Sequence, residues 1–376
     1  CGSDGFAPRP RAARSSHLGD LRRYWASGAG SISSLADATH SFRSRRASEA
    51  WSFWHDVGSS ARPDIMAACD TLYCLKLIGR MDLMAPDAPS RFGELLHGSR
   101  LAGGIGRGNG PPLGVHRTAY ALAALNLLAA EGWLVHGDAV RPVGWTIGEI
   151  LDGRGRVRWP WYLAHHAWRI GHWIGGIPSI LLSLWRHVPE LAEHNRLPHA
   201  SVVLRNSDSL IDARTGLLRT YRLDALQKAF RSLYRVRHDP DAADVGGIAH
   251  LHWCNYAAGR MPYKAAPALF DRSWNLLRRR PFMETVPYCL DFDVVQIART
   301  SIGEGDVRST ALNARLDDYA NAILDFYEGG LDDNYSLHKL PGGLATLHEC
   351  AIAGGKKSVP GLEIPPVDIA KEAHWI

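Results

Sequence analysis

What this chain lacks excludes several common functions. Its six cysteines form no Cys-x-x-Cys pair, which argues against a zinc ribbon or a thioredoxin-type redox site and suits reduced, buried thiols. No Gly-x-Ser-x-Gly elbow is present and no dinucleotide fingerprint follows a strand, so serine nucleophiles and nicotinamide chemistry are not expected. Neither zinc-finger spacing nor a ribonucleoprotein signature accompanies the arginines, and no nucleic-acid partner is expected. The longest run free of acidic and lysine charge, Trp159 to Trp185, is interrupted by Arg169, three histidines and two prolines, so no transmembrane segment is expected. Alternating apolar and polar runs are almost absent, which leaves all-α as the fold class.

What is present fits one large globular domain. The chain has 376 residues, 46% of them apolar, and carries 43 Lys+Arg against 38 Asp+Glu, a net charge of +5. The arginine clusters at Arg9 to Arg23, Arg43 to Arg46 and Arg278 to Arg280 read as solvated faces. Residues 1–46, rich in Arg, Ser, Ala and Gly, are expected to be a flexible arm, 47–353 the helical domain, and 354–376 an irregular tail. The Gly-rich stretch from Gly103 to Pro112 reads as a long rim loop. Thirteen tryptophans, several beside histidines, suggest an aromatic cavity. Cys1 leaves two readings open: a fragment boundary, with a cytoplasmic protein slightly favoured, or the mature start of a bacterial lipoprotein.

The stretch Gly246-Gly247-Ile248-Ala249-His250-Leu251-His252-Trp253-Cys254-Asn255-Tyr256 reads as a helix opened by its glycine pair, with polar groups in the first two turns. Residues Asp239 to Asp244 before it read as an acidic turn. The pair Gly175-Gly176 with Pro178 is expected to break or kink the helix that carries His165, His166, Arg169 and His172. Similar polar entrances are expected at His116, Asp291 and His348, separated by helices that lack them. That alternation is what a ring of helical hairpins produces, with inner helices aiming their N-termini at one end of a cavity.

The stretches Thr118 to Leu125, Thr215-Gly216-Leu217, Gly247 to His250 and Cys289-Leu290-Asp291-Phe292-Asp293 resemble the (α/α) toroid group. That group spans six-hairpin glycosidases, polysaccharide lyases, sugar epimerases and terpenoid-cyclase or prenyltransferase toroids. The resemblance covers roughly residues 60 to 352 and implies an active site at one mouth of a ring. The chain departs from the terpenoid branch, since Leu316-Asp317-Asp318-Tyr319 is only a fragment of its acidic motifs.

Glycoside hydrolysis needs two carboxyl groups across a cavity, one protonated and one ionised. Asp293, Asp291 and Glu349 are the candidates, with N-capping as the ordinary alternative for the two aspartates. Lyase or epimerase chemistry needs a base and an acid instead, which His250 and Tyr256 would provide. His116, His166, Trp168, Arg169, His172, Trp253, Asn255 and His348 are expected to bind substrate. A zinc set of His250 and His252 with His348 is not expected, because positions i and i+2 of a helix diverge. No metal or cofactor is expected, and the oligomeric state stays open. The function read from these residues is action on a carbohydrate or other small molecule, with a terpenoid-type toroid or a non-catalytic binding toroid as alternatives.

Overall fold

A computed structural model describes residues 65–84, 88–98, 114–133, 147–158, 167–219, 224–233, 240–261, 265–279, 281–303, 305–328 and 337–376. The expected N-terminal arm, the Gly103 to Pro112 loop and His166 lie outside the described residues. The helices are α1 (Ile65–Leu77), α2 (Ala88–Gly98), α3 (Val115–Ala130), α4 (Ala167–His187), α5 (Pro189–His194), α6 (Ala200–Ser207) and α7 (Asp224–Leu233). They continue as α8 (Pro240–Ala257), α9 (Ala266–Arg279), α10 (Cys289–Thr300), α11 (Ser309–Glu328), α12 (Leu340–Ala353) and α13 (Ile369–Ala373). Among the described residues the only β pairing is two isolated bridges, Leu151 with Val157 and Ile211 with Leu218. The protein is all-α, as the missing strand pattern requires.

Two kinds of helix are present. In α3, α10 and α12 the buried positions run consecutively, Thr118 to Leu128, Leu290 to Ala298 and Leu340 to Ala351. A helix buried on all sides belongs at the centre. In α9 burial is confined to Ala266, Leu269, Phe270, Ser273, Leu276 and Leu277, one stripe with solvent on the other side. This is the pattern of a surface helix.

The central helices pack in a definite order: α1 on α3, α3 on α4, α4 on α8, α8 on α10, α10 on α12, and α12 back on α1. Contacts advance in the same sense along each pair. Gly171 faces Gly247 and Gly175 faces His250, while Gly246 lies against Leu290 and His252 reaches Thr300. Likewise Gly342 lies against Cys289 and Glu349 pairs with Arg299. Neighbours in this order therefore run parallel, and parallel neighbours need return segments between them. Helices α9 and α11 are such returns, packing on α8 with α10 and on α10 with α12.

Two expected helix boundaries, a break at Gly175-Gly176 and a start at Gly246-Gly247, do not occur, and both lie where α4 and α8 approach closely. A Cβ on Gly171 would overlap the Gly247 carbonyl, and one on Gly175 would lie 2.5 Å from the His250 carbonyl carbon. These glycines allow backbones to approach rather than ending a helix, so α4 runs unbroken through Gly175, Gly176 and Pro178. Gly246 and Gly247 likewise lie inside α8, which starts at Pro240 with Asp241 in its first turn. Proline at a helix start and an acidic residue beside the positive dipole end account for that earlier start. The expected acidic turn is helical from Asp241 to Asp244, and His250 sits past mid-helix. His348 is likewise in the second half of α12 rather than at its entrance.

The stretch expected to be an irregular tail is part of the core. Val359, Leu362, Ile369, Ala370, Ala373 and Trp375 are buried. The segment 367–376 touches all six central helices. Tyr73 of α1 donates to the Trp375 carbonyl (2.5 Å), Asn126 of α3 to Ala373 (3.0 Å) and Arg186 of α4 to Glu372 (3.4 Å). Tyr256 of α8 and Arg299 of α10 hold Asp368, and the Val367 amide donates to His348 of α12 (2.8 Å). Among the described residues no helix is long and apolar enough to cross a membrane.

Candidate functional site: three histidines and a buried carboxyl

His116 is the second residue of α3, His172 lies in the second turn of α4, and His250 follows the tight α4–α8 approach. One ring nitrogen of each lies within 4.8 Å of the others. The His116 and His172 rings stack at 4.2 Å, and His250 stands edge-on to both, 4.8 Å from His172 and 5.9 Å from His116. Trp375 backs the cluster, 4.6 Å from His250, and its indole N–H donates to Nδ1 of His116 at 3.1 Å. Trp253 lies 4.8 Å from His250, and Trp168 lies 6.2 Å from His172.

Burial, reinforced by the neighbouring imidazoles, pushes the pKa values of His116 and His250 well below the usual histidine value. Both are neutral near pH 7. His250 Nδ1 is 2.8 Å from the Gly246 carbonyl, and since a carbonyl only accepts, Nδ1 carries the proton and Nε2 keeps its lone pair.

The same glycine borders Asp293. A Cβ on Gly246 would lie 3.2 Å from Oδ2 of Asp293, while Oδ1 is buried without a hydrogen-bond partner. Burial, then the charge of Asp291, raises the Asp293 carboxyl well above the usual carboxylate range. A carboxyl that favours its proton and imidazoles that favour their free base thus occupy one neighbourhood, which suits proton transfer in both directions. Comparison with family models, with curated proteins and with solved structures gives no match. The site is therefore interpreted from its chemistry.

Other expected site residues are engaged in structural bonds. Asp291 accepts from the amides of Met283 and Tyr288, both at 2.8 Å, and from the Tyr319 hydroxyl, closing a capping box at the start of α10. Burial raises its pKa to about 6 against the pull of those bonds. Glu349 is locked to Arg299 through two contacts of 2.5 and 3.2 Å, and Arg299 also reaches Asp368 and the Tyr256 hydroxyl. Asn255 accepts from Arg260 at 2.5 Å and donates to the Leu251 carbonyl at 3.0 Å. His348 donates to the Leu77 carbonyl and accepts from Val367, tying α1 to the C-terminal segment. His252 bonds Thr300 at 2.6 Å. His250, His252 and His348 thus have separate partners, and a zinc set of these three does not form. Arg169 is exposed.

Two residues of the neighbourhood are not among those expected from sequence. Asp70 is fully buried in α1, 2.8 Å from both the Tyr120 hydroxyl and His338 Nδ1. A lone carboxylate among Ala68, Cys69 and Leu72 is a readable signal for it. Trp375 gives none, because nothing local marks a residue of an irregular stretch as packed against the histidine cluster.

Proposed function

We propose that the parallel central helices form the inner ring of an (α/α) toroid, and that the protein is an enzyme acting on a carbohydrate at the end where His116, His172, His250 and Asp293 gather. Asp293 gives a proton to the departing or rearranging oxygen. An unprotonated imidazole of the cluster, or the carboxylate of Asp70, serves as the base. Trp168 and its aromatic neighbours offer faces on which a sugar ring stacks.

The observation that carries this reading is Asp293: a buried carboxyl with an unpartnered oxygen costs stability, a cost that a functional role explains. Against the terpenoid alternative, Asp317 and Asp318 lie exposed on the return helix α11, and Asp317 pairs with Lys356 at 2.6 Å. The acidic fragment is thus spent on the surface rather than offered to a diphosphate.

The test is a panel of neutral and uronic-acid glycans, scored for new reducing ends and for unsaturated, ultraviolet-absorbing products. Asp293→Asn is expected to lower turnover by about 10²- to 10⁴-fold, the usual span for losing a general acid, with Asp317→Asn unaffected. Hydrolysis without unsaturation indicates a glycosidase and the reverse a lyase. Turnover of prenyl diphosphates, or no turnover of any glycan, overturns the reading.

A further inference from the structure

We propose that His116, His172 and His250 form a binding site for a divalent transition-metal ion of the zinc type. The inference is tested apart from the carbohydrate reading, because metal content and coordination are measured without any substrate; with the ion bound the imidazoles are ligands and no longer that reading's base.

Three imidazoles from three separate helices converge with their nitrogens within 4.8 Å of one another. A tetrahedral ion with metal–nitrogen bonds of about 2.0–2.1 Å needs ligand nitrogens about 3.4 Å apart. Side-chain rotation covers that difference. His250 is already set as metal-bound histidines are, with Nδ1–H held by the Gly246 carbonyl at 2.8 Å and Nε2 left to coordinate. Gly171 and Gly175 bring α8 against α4, so the positions of His172 and His250 are fixed by backbone packing rather than by loops. All-imidazole sites select zinc, copper, nickel or cobalt over magnesium and calcium, which prefer oxygen. Three protein ligands leave a fourth position for water or substrate, the arrangement of catalytic rather than structural zinc.

Two features of the ion-free arrangement must give way. His116 and His172 are stacked, and parallel rings do not aim at one point. The half-buried His172 turns to open the stack. The Trp375 indole N–H donates to Nδ1 of His116. If the ion binds Nδ1 it displaces that proton, and if it binds Nε2 the His116 proton moves to Nδ1 and faces the indole N–H. Either way Trp375 loses its hydrogen bond. Trp375 therefore competes with the metal for His116 and reports its arrival.

The experiment uses the full chain, stripped with chelator and titrated with Zn²⁺ by calorimetry and with Co²⁺ by visible absorption. One ion per chain is expected, with a tetrahedral Co²⁺ spectrum and a change in tryptophan fluorescence on Zn²⁺ addition. His172→Gln, at one of the two partly buried positions, is expected to weaken binding at least tenfold while far-ultraviolet circular dichroism stays unchanged. His194→Ala, an exposed histidine on α5, leaves binding unchanged. Trp375→Phe, which removes the competing donor together with part of a buried ring, is expected to tighten it. Absence of stoichiometric binding, binding indifferent to His172→Gln, or loss with His194→Ala overturns the proposal. Tighter binding in Trp375→Phe supports it even if His172→Gln fails to fold.

Discussion

Two polar clusters lie buried among the same central helices, and they are opposites. In the first, Arg299, Glu349, Asp368 and Tyr256 satisfy one another, with the Glu349 side chain fully buried and Arg299 nearly so. In the second, His116, His172 and His250 gather beside aromatic rings near Asp293, which keeps an oxygen with no partner. A buried ion pair that is internally complete fixes geometry. A buried cluster left incomplete destabilises the fold unless something else completes it. This contrast makes the first cluster a clasp for the C-terminal segment and the second the candidate site.

The largest test of the contrast is Glu349→Gln. It leaves Arg299 buried beside a neutral amide and is expected to cost about 3–5 kcal/mol by urea denaturation. The double variant Arg299→Met with Glu349→Leu is expected to recover most of that loss, since the one charge then left, Asp368, is partly exposed and keeps its bond from Tyr256. A double variant as unstable as the single one would mean that the pair does more than complete itself.

Next in size is Gly175→Ala. Its methyl group would press into the backbone at His250, and overpacking of this kind costs about 1–3 kcal/mol. Because it pushes α8 away from α4, it is also expected to weaken Zn²⁺ binding, whereas Glu349→Gln leaves whatever folded fraction remains competent to bind.

Acid titration tests buried histidines that lie outside both clusters. His348 is held down to about 4 and His252 to about 3, in both cases mainly by burial. A histidine whose folded pKa is depressed contributes stability above its unfolded value near 6.5 and loses it as pH falls toward the folded value. Stability is therefore expected to fall between about pH 6.5 and 4. His348→Gln is expected to flatten that slope by on the order of 2 kcal/mol, read from chemical denaturation at each pH.

The smallest expected effect has the opposite sign. Asp293 has a raised folded pKa, so the stability it contributes is present below about pH 4 and is lost as pH rises toward that folded value. Asp293→Asn is accordingly expected to stabilise the protein at pH 7 and to change nothing below about pH 4, while lowering the proposed turnover. A destabilised Asp293→Asn would place this residue with the clasp and remove the contrast.

Much of the fold is legible in the amino-acid order. The Ala- and Leu-rich run from Thr118 to Leu128, the Cys289 to Ala298 stretch and the stripe of α9 are local signals, and they give helices with nearly correct bounds. The candidate site is legible in part. His116, His172, His250, Trp253 and Asp293 stand out as polar or aromatic groups at odds with apolar helices, and the structure brings them together. Glycine misleads, because Gly175 and Gly246 look like boundaries of their own helix when Gly175 admits the backbone of a neighbouring helix and Gly246 the Leu290 side chain. Asp291 carries its ordinary role, the cap, in its local sequence.

The sequence by itself determined an all-α chain, which stretches are helical, and which polar side chains sit inside them, because helical periodicity relates residues only three or four positions apart. Tertiary structure alone decided which of those side chains found partners. Arg299 meets Glu349 across 50 residues, and Trp375 meets His116 across 259. Separations of that length are set by how helices pack against one another, and no local pattern records whether a buried charge has been neutralised or left waiting.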